Sequence, residues 1–360
     1  MMGYEPSHRP LPGEGGDGRS QASACSNKID WDRNYPAPAK PNLFLHGFGM
    51  MDYEPSPRPL PREGGDGRSQ ASACSNKIDW DRSYPAPAKL NLFLHVVGRR
   101  ADGYHLLQSL FRLIDRGDVL RFAPRADGRI RRVHPLPNVA EEHDLCLRTA
   151  RLLQAASGVT RGVDIALEKH LPMGGGLGGG SSDAATVLLA LNRLWEVNWP
   201  RERLQTLGLR LGADVPFFIF GRNAFVEGIG ETLHAVDPPP AWYLVIEPRA
   251  HVPTADIFAA PELTRNTKPI KMADFSAGWA PESRNDLEPV VCARYPEVAQ
   301  ALVWLKQHAA GARMTGSGAC VFAPFALEQD ARAVLARMPE NMTAWVAQGL
   351  EAHPLRALAD

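Results

Sequence analysis

The residues best suited to chemistry lie in the glycine-rich segment 171–185, which reads LPMGGGLGGGSSDAA. Glycine lets backbone N–H groups turn inward and approach a ligand without a Cβ clash. Alternating polarity predicts a strand over residues 163–167, and a helix is predicted over residues 184–195. The first N–H groups of such a helix are unpaired and lie at the positive end of its dipole. The segment therefore predicts a site for the phosphates of a nucleotide or another polyphosphate.

Two common phosphate loops do not fit this segment. A P-loop requires a lysine followed by serine or threonine after its last glycine, and that lysine is absent, since Gly180 is followed directly by Ser181. Gly174, Gly176 and Gly179 match the G-x-G-x-x-G spacing, but such a match arises easily in a run this rich in glycine. A dinucleotide fold also needs a strand that ends in an acidic residue about 20 positions later. Here that region reads as a helix end followed by Pro200, which disfavours the dinucleotide interpretation.

The segment resembles the second signature of the GHMP small-molecule kinases: a proline, three residues, Gly-Leu-Gly, then small residues and Ser-Ser. Residues 87–94 (PAKLNLFL) and 314–322 (MTGSGACVF) resemble two further motifs of that family. The resemblance implies an α+β, two-domain kinase fold with the active site in the cleft between the domains. It also implies ATP as co-substrate, together with Mg²⁺, for which Ser181 or Ser182 is a candidate contact. The ATP-binding residues that it implies are Lys169, Pro172, Met173, Gly174, Gly175, Gly176, Leu177, Gly178, Gly179, Gly180, Ser181 and Ser182.

Three further motifs narrow the resemblance, which extends roughly from residue 84 to the end of the chain. Residues 100–105 (RADGYH), 211–216 (LGADVP) and 253–258 (PTADIF) resemble family members of non-mevalonate isoprenoid biosynthesis, whose acceptor alcohol carries a cytidine diphosphate. The resemblance implies that Tyr104 and Phe258 stack on the cytosine and that His105 bonds to its edge. It implies substrate contacts for Asn91 and Thr254 as well. Stacking of a base on an aromatic ring contributes about 1–3 kcal/mol.

Asp214 is the candidate catalytic base. An acceptor alcohol must lose its proton as it attacks a phosphoryl group, and a carboxylate in hydrogen-bond reach is a suitable acceptor. Taken alone, an aspartate before the apolar residues 215–220 is more typical of a helix cap or a turn. The resemblance nevertheless assigns Asp214 to catalysis. It gives Lys89 the role of stabilising that carboxylate and the developing negative charge.

The chain departs from the family pattern at two places. Asp144 begins a predicted helix where the family usually has asparagine, and a carboxylate cannot donate an amide hydrogen to a base. The effect of this change on ATP binding stays open. Ala255 and Asp256 replace a more usual small or proline-containing pair before Phe258, which leaves the local loop shape open.

The N-terminal part of the chain contains a duplication. Residues 4–46 recur at positions 53–95 with four differences, and both copies are rich in proline, glycine and serine. We expect residues 1–82 to form a disordered tail, either real or the product of an early start site, followed by domains at 83–236 and 241–360. Prolines 238–240 mark the boundary between these domains. Of the duplicated Lys40 and Lys89, only Lys89 continues into the motif at residues 100–105, so Lys89 is the expected functional copy.

The composition agrees with a soluble, cytoplasmic enzyme, and the resemblance implies a small-molecule substrate. Forty basic and forty acidic side chains cancel, so we expect neither nucleic acid nor a membrane as a partner. The cysteines show neither metal-ligand nor disulfide spacing, and we expect no secretory signal, because the N-terminal tail lacks the apolar core that one needs. The oligomeric state stays open. Two alternative functions remain: another GHMP enzyme, such as a homoserine, mevalonate or galactose kinase or diphosphomevalonate decarboxylase, and a non-catalytic nucleotide sensor on the same fold.

Overall fold

The computed structural model describes residues 80–137, 139–272 and 284–360. These residues fall within one compact unit, 66–360. The tail predicted for residues 1–82 lies outside the described residues apart from its last three, and so does Lys40.

Strands from the first half of the described chain form a six-stranded sheet. The long β2 lies at its centre: β1 pairs along one edge, and β4 and β5 pair along the other. All pairings are antiparallel except that between β3 and β4. The strands are β1 (Tyr84–Arg99), β2 (His105–Arg125), β3 (Ile130–Arg132), β4 (Gly162–Glu168), β5 (Ala224–Glu227) and β6 (Thr232–Ala235).

The hairpin of β1 and β2 is longer than the sequence predicted. A strand was expected over residues 90–97, but β1 begins at Tyr84 and contains Pro85 and Pro87. These prolines are tolerated because this end of β1 pairs with β2 alone, so no second neighbour needs their missing N–H groups. Two pieces were expected at 109–114 and 119–122, but β2 runs through both. Its Gly117 allows the close approach, since a Cβ there would lie 2.3 Å from the Ala86 carbonyl oxygen.

Four helices pack against this sheet around an apolar cluster. The central helix is α2, whose residues 182–192 are all buried. It begins at Gly179, five residues before the predicted start, because its first turn is made by the end of the glycine-rich segment. The helices are α1 (Leu145–Ser157), α2 (Gly179–Leu194), α3 (Arg201–Leu209) and α4 (Val215–Phe220).

The remaining strands form a four-stranded antiparallel sheet in the order β10-β7-β9-β8, and its helices enclose a second apolar cluster. Prolines 238–240 lie between the strands of the two sheets, and the assignment of separate domains remains a prediction. The strands are β7 (Trp242–Glu247), β8 (Arg313–Met314), β9 (Val321–Phe325) and β10 (Thr343–Gln348). The helices are α5 (Thr254–Ala259), α6 (Glu288–Arg294), α7 (Pro296–His308) and α8 (Glu328–Leu335).

A third apolar cluster joins the two sheets and anchors the glycine-rich segment. Phe93 of β1 and Tyr243 of β7 contribute to it, and so do Leu171 and Leu177 from the segment itself. Each of these four side chains is at most 3% exposed. Because their burial fixes the apolar residues of the segment, the glycines between them are held at a defined place in the fold.

The fold class is α+β, as the sequence predicted, since antiparallel sheets carry helices on their faces. Among the described residues, no helix has the length and apolar character needed to cross a membrane.

Candidate active site

A cavity of about 530 Å³ brings most of the predicted site residues together. Its wall includes the glycine-rich segment from Pro172 to Ser181, with Lys89 and Asp214 nearby. Asn91, Thr254 and Phe258 line the same cavity, and so does Lys169. Residues from both ends of the described chain therefore meet around one space, as a site for two substrates requires.

Close backbone contacts fix the shape of the glycine-rich segment. A Cβ on Gly176 would lie 2.3 Å from the Thr315 carbonyl oxygen, and a Cβ on Gly316 would lie 2.9 Å from the Gly176 carbonyl oxygen. Only glycine fits at these two positions, because the segment packs backbone to backbone against residues 314–318. Gly176 also has a φ of 74°, in the left-handed region that favours glycine. The Lys89 backbone N–H donates to the Leu177 carbonyl at 2.9 Å, which ties the segment to β1.

Lys89 and Asp214 form an ion pair at the cavity wall. The Lys89 ammonium lies 3.6 Å from the Asp214 carboxylate, donates to the Asn91 side chain and sits 4.5 Å above the Phe111 ring. Burial lowers the pKa of Lys89, and the neighbouring Asp214 opposes that shift. Asp214 precedes α4 but makes no side-chain capping bond. Its carboxylate, with the side chain 32% exposed, thus remains available to a ligand in the cavity.

Asn91 is held by contacts on several sides. Its side-chain amide donates to the Ser109 hydroxyl at 2.9 Å, and its backbone N–H donates to the Thr315 hydroxyl at 2.9 Å. Because its carbonyl oxygen accepts from Lys89, Asn91 orients the ammonium beside Asp214. The structure therefore places Asn91 next to the candidate catalytic pair.

Two buried aspartates that the sequence analysis missed hold Lys169. Its ammonium lies 2.5 Å from the Asp118 carboxylate and 2.9 Å from that of Asp183. Asp118 also accepts from the backbone N–H groups of His170 at 2.6 Å and Leu171 at 2.8 Å. Although burial opposes it, the two carboxylates raise the pKa of Lys169, so this side chain stays charged.

The contacts of Lys169 link the two ends of the glycine-rich segment. Asp118 binds the beginning of the segment, while Asp183 lies in the first turn of α2 at its end. Burial raises the pKa of Asp183, and the nearby Asp118 adds to that shift. We call Asp118, Lys169 and Asp183 the loop clasp. The sequence offered one indication for Asp118: it lies between two predicted strands. If those strands form one continuous strand, an acidic residue there is expected to be buried and to need a charged or hydrogen-bonding partner.

Asp144 begins α1 and forms a buried pair with Arg132 at the cavity wall. Its carboxylate accepts from the Cys146 backbone N–H at 2.8 Å and from the Arg132 guanidinium at 2.9 Å through Nε. The Nη1 group of Arg132 is buried and has no hydrogen-bond partner among the described residues. A guanidinium donor therefore lies close to Asp144, the residue that replaces the usual asparagine and its amide donor.

Only some of the predicted pyrimidine contacts line the cavity. The His105 and Phe258 rings are 5.1 Å apart between centroids and inclined by 36°. The Thr254 hydroxyl forms a 2.7 Å hydrogen bond with that of Ser317. Tyr104 is 45% exposed. Phe258 and Thr254 line the cavity, whereas His105 and Tyr104 do not contribute to its wall.

Ser181 and Ser182 occupy different surroundings. Ser181 lines the cavity, whereas Ser182 is fully buried and donates its hydroxyl to the Pro87 carbonyl at 2.7 Å. Ser182 therefore joins α2 to β1, and of the two serines only Ser181 lines the cavity.

Comparison with known proteins identifies related chains over the part of the sequence that forms this site. The profile of the GHMP kinases N terminal domain matches residues 144–222, and that of the GHMP kinases C terminal domain matches residues 272–344. A protein of Thiobacillus denitrificans named 4-diphosphocytidyl-2-C-methyl-D-erythritol kinase is 65% identical over 260 residues, or 72% of this chain and 92% of the relative. A Dechloromonas aromatica protein of the same name is 59% identical over 73% of this chain and 95% of its own length.

Solved structures agree with these relatives. A crystal structure of 4-(cytidine 5'-diphospho)-2C-methyl-D-erythritol kinase superposes with a TM-score of 0.66 at 35% identity, covering 74% of this chain and 99% of the other. A homoserine kinase from Cytophaga hutchinsonii reaches a TM-score of 0.57 at 17% identity, covering 79% of this chain and 98% of the other, which shows a shared fold.

Proposed function

The chain belongs to the GHMP kinase family, and we propose that this ATP-dependent phosphotransferase phosphorylates the 2-hydroxyl of 4-(cytidine 5'-diphospho)-2-C-methyl-D-erythritol. That reaction serves isoprenoid precursor synthesis by the non-mevalonate route. The observation that carries the proposal is the Lys89–Asp214 pair, which faces the same cavity as the glycine-rich segment. A phosphate donor and an alcohol acceptor can meet in that cavity.

The glycine-rich segment supplies the nucleotide side of the reaction. Its backbone N–H groups and the first turn of α2 offer donors to the phosphate oxygens without side chains in the way. The apolar Leu145 and Leu167, together with Arg132, line the same cavity and offer surroundings for a base. ATP is the co-substrate, as the family implies.

The acceptor side of the reaction rests on Asp214. The acceptor hydroxyl gives its proton to the Asp214 carboxylate while its oxygen bonds to the γ-phosphorus of ATP. The bond between that phosphorus and the β–γ bridging oxygen breaks, and ADP leaves. Lys89 stabilises the Asp214 carboxylate before transfer and the negative charge that develops on the acceptor oxygen.

Mg²⁺ belongs to this proposal as the companion of the ATP phosphates. Mg²⁺ keeps several waters and binds proteins through few side chains when phosphates supply the other oxygens. The Ser181 hydroxyl at the cavity and the Asp183 carboxylate in the same turn of α2 fit such a role. When bound, the ion neutralises phosphate charge.

Recognition of the cytidine part is assigned to the side of the cavity near Phe258. The Phe258 and His105 rings already lie against each other, and Tyr104 is exposed where a base could stack on it. Asn91 and Thr254 are polar groups at the same cavity wall. The predicted cytoplasmic location remains an expectation, and the free Cys146, Cys292 and Cys320 suit a reducing compartment.

An acceptor panel tests the proposal. The full chain is incubated with ATP, Mg²⁺ and one acceptor at a time, and ADP release is measured. We expect turnover with 4-(cytidine 5'-diphospho)-2-C-methyl-D-erythritol and only background release with homoserine, mevalonate or galactose. Preferred turnover of one of those three would assign the chain to another activity of the family. ATP binding with no turnover of any acceptor would favour a nucleotide sensor.

A further inference from the structure

Arg265 connects the His105 ring to the backbone of Phe258, a residue that lines the cavity. Its Nε donates to the Nε2 atom of His105 at 3.0 Å, and its Nη2 donates to the Phe258 carbonyl at 2.9 Å. Its other hydrogen bonds reach the carbonyl oxygens of Ala260 at 2.7 Å and Leu263 at 2.9 Å. One side chain thus satisfies carbonyl groups at the end of α5 and holds His105 at the same time.

These contacts determine which nitrogen of His105 carries the hydrogen. A guanidinium group has donors and no acceptor, so Nε2 of His105 must accept the hydrogen bond. In a neutral imidazole the hydrogen then resides on Nδ1. Burial lowers the pKa of His105, and the charges of Arg265 and Arg99 add to that shift, so the ring is neutral near neutral pH. His105 therefore presents one donor, Nδ1–H.

The position of the ring is fixed by the same side chain. His105 lies against Phe258, which lines the cavity, and Arg265 binds both residues. Loss of the guanidinium would remove the donor that fixes the tautomer of the His105 ring and the donor to the carbonyl groups of Phe258 and Ala260 at the end of α5. The two effects act on the pyrimidine side of the cavity and leave the glycine-rich segment untouched.

We propose that Arg265 is a specificity-determining positioning residue: it fixes His105 as the Nδ1–H tautomer, so that this edge donates to N3 of a cytosine base. Cytosine has a lone pair at N3, whereas uracil has an N–H group there. A fixed donor therefore accepts cytosine and opposes uracil. This inference rests on the proposed function, because it requires a cytidine-bearing substrate next to Phe258.

The tautomer is tested directly by NMR on the full-length protein with labelled histidine. The His105 signals are assigned by comparison with His105→Gln. We expect the hydrogen on Nδ1 in the unaltered chain and a shift toward Nε2–H in Arg265→Met. Arg265→Lys, which keeps a donor-only cation, is expected to restore part of the Nδ1–H population. A hydrogen on Nε2 of His105 in the unaltered chain would overturn the inference, whatever the behaviour of the variants.

Kinetics of the same proteins test the consequence for specificity. Arg265→Met is expected to raise KM for the cytidyl substrate about three- to tenfold, as for one lost hydrogen bond, with KM for ATP unchanged. The ratio of kcat/KM for the cytidyl substrate to kcat/KM for its uridyl analogue should also fall. Arg332→Met, which removes an exposed guanidinium paired with Glu328, is the matched control and should change neither constant.

The outcomes separate this inference from the proposed function. An unaltered chain that turns over the cytidyl substrate and does not prefer it to the uridyl analogue would overturn the role of Arg265. An equal rise of both KM values in Arg265→Met would indicate a general loss of structure and also contradict it. Failure of the unaltered chain to use any cytidyl substrate would instead reject the proposed function. If Arg265→Met does not fold, the tautomer in the unaltered chain and the kinetics of Arg265→Lys decide.

Discussion

Asp214 occupies the position of a helix cap but does not cap the helix. It immediately precedes α4, yet its carboxylate makes no capping hydrogen bond and lies 3.6 Å from the Lys89 ammonium. A helix cap needs only a hydrogen-bond acceptor, which a neutral side chain can supply. The Lys89 ammonium, in contrast, needs a negatively charged partner. The ion pair therefore supports the catalytic interpretation over the structural one.

Asp214→Asn separates these two roles. Asparagine keeps the size and one oxygen acceptor but does not accept a proton at neutral pH, so we expect the turnover rate to fall about 10²–10⁴-fold. Nucleotide affinity and the melting temperature should hold, because the phosphates are assigned to the glycine-rich segment. Near-normal turnover in the variant would remove the base role, and unfolding would favour a structural one. Asp127→Asn, which alters an aspartate on the surface, is the matched control.

Lys89 and Lys40 provide a second comparison at the level of single residues. Both lie in the same duplicated sequence, but only Lys89 is followed by residues 100–105. Lys89→Ala should abolish turnover, since the substitution leaves Asp214 without its cationic partner. Lys40→Ala should leave the turnover rate unchanged. A damaging effect of Lys40→Ala would show that the wrong copy of the motif was assigned to the active site.

The sequence allowed prediction of the residues that belong to motifs, but not of those that act through the fold. Lys89, Asp214 and the glycines were identified because each lies in a short pattern with a recognisable spacing. Asp118 and Arg265 reach their partners across long stretches of chain, 51 positions in the contact to Lys169 and 160 in that to His105. A short sequence pattern carries no information about contacts between positions so far apart. The roles of these two residues were therefore found only from the structure.

At the scale of elements, the loop clasp explains how a glycine-rich segment keeps a defined shape. Glycine gives the backbone freedom, and that freedom would cost conformational entropy whenever a ligand bound. The clasp reduces this cost by binding the start of the segment through Asp118 and the first turn of α2 through Asp183. Its side chains are largely shielded from water, which strengthens their electrostatic interactions.

Asp118→Asn tests the clasp. The amide keeps one acceptor for the backbone but loses the charge opposite Lys169, so we expect KM for ATP to rise roughly tenfold or more. KM for the acceptor should change little, because Asn91 and Phe258 do not contact Asp118. Measured with the Asp127→Asn control, an unchanged KM for ATP would show that the segment holds its shape without Asp118.

The element boundaries that the sequence analysis missed have common physical causes. The prediction began α2 at the first alanine, since glycine has low helix propensity, but the helix extends back to Gly179, and its Ser182 hydroxyl bonds to the Pro87 carbonyl of β1. Thr254–Ala259 was expected as part of a loop, yet it forms α5, with Ile257 buried in the second apolar cluster. In both cases tertiary contacts outweigh local preference.

At the scale of the whole molecule, three apolar clusters hold the helices and strands of the described residues together. One cluster lies under the helices of each sheet, and the third joins the sheets beside the glycine-rich segment. The catalytic pair draws Lys89 from β1 and Asp214 from the turn before α4. Because β1 and α4 both contribute side chains to the first apolar cluster, the stability of the fold and the geometry of the ion pair depend on the same packing.

Deletion of the predicted tail is a test at this scale. Removal of residues 1–79 should leave the melting temperature and the turnover rate within error, because that segment combines a repeat with a composition poor in apolar periodicity. A deletion that extends through residue 88 should instead destabilise the fold, since it removes Tyr84 and Ala86 from the first apolar cluster. A clear loss of stability or activity on removing residues 1–79 would show that the tail contributes to the folded enzyme.

The most direct measurement of the central claim is the ³¹P NMR spectrum of the product formed from ATP and 4-(cytidine 5'-diphospho)-2-C-methyl-D-erythritol. The carbon at position 2 of that acceptor carries no hydrogen, so a phosphate on its oxygen has no three-bond proton coupling. The account predicts a new phosphate-monoester signal that is a singlet, formed in proportion to ADP and formed about 10²–10⁴-fold more slowly with Asp214→Asn. A new signal split into a triplet or a doublet would place the phosphate on another hydroxyl, and ADP without any new organic phosphate would contradict phosphoryl transfer to this acceptor.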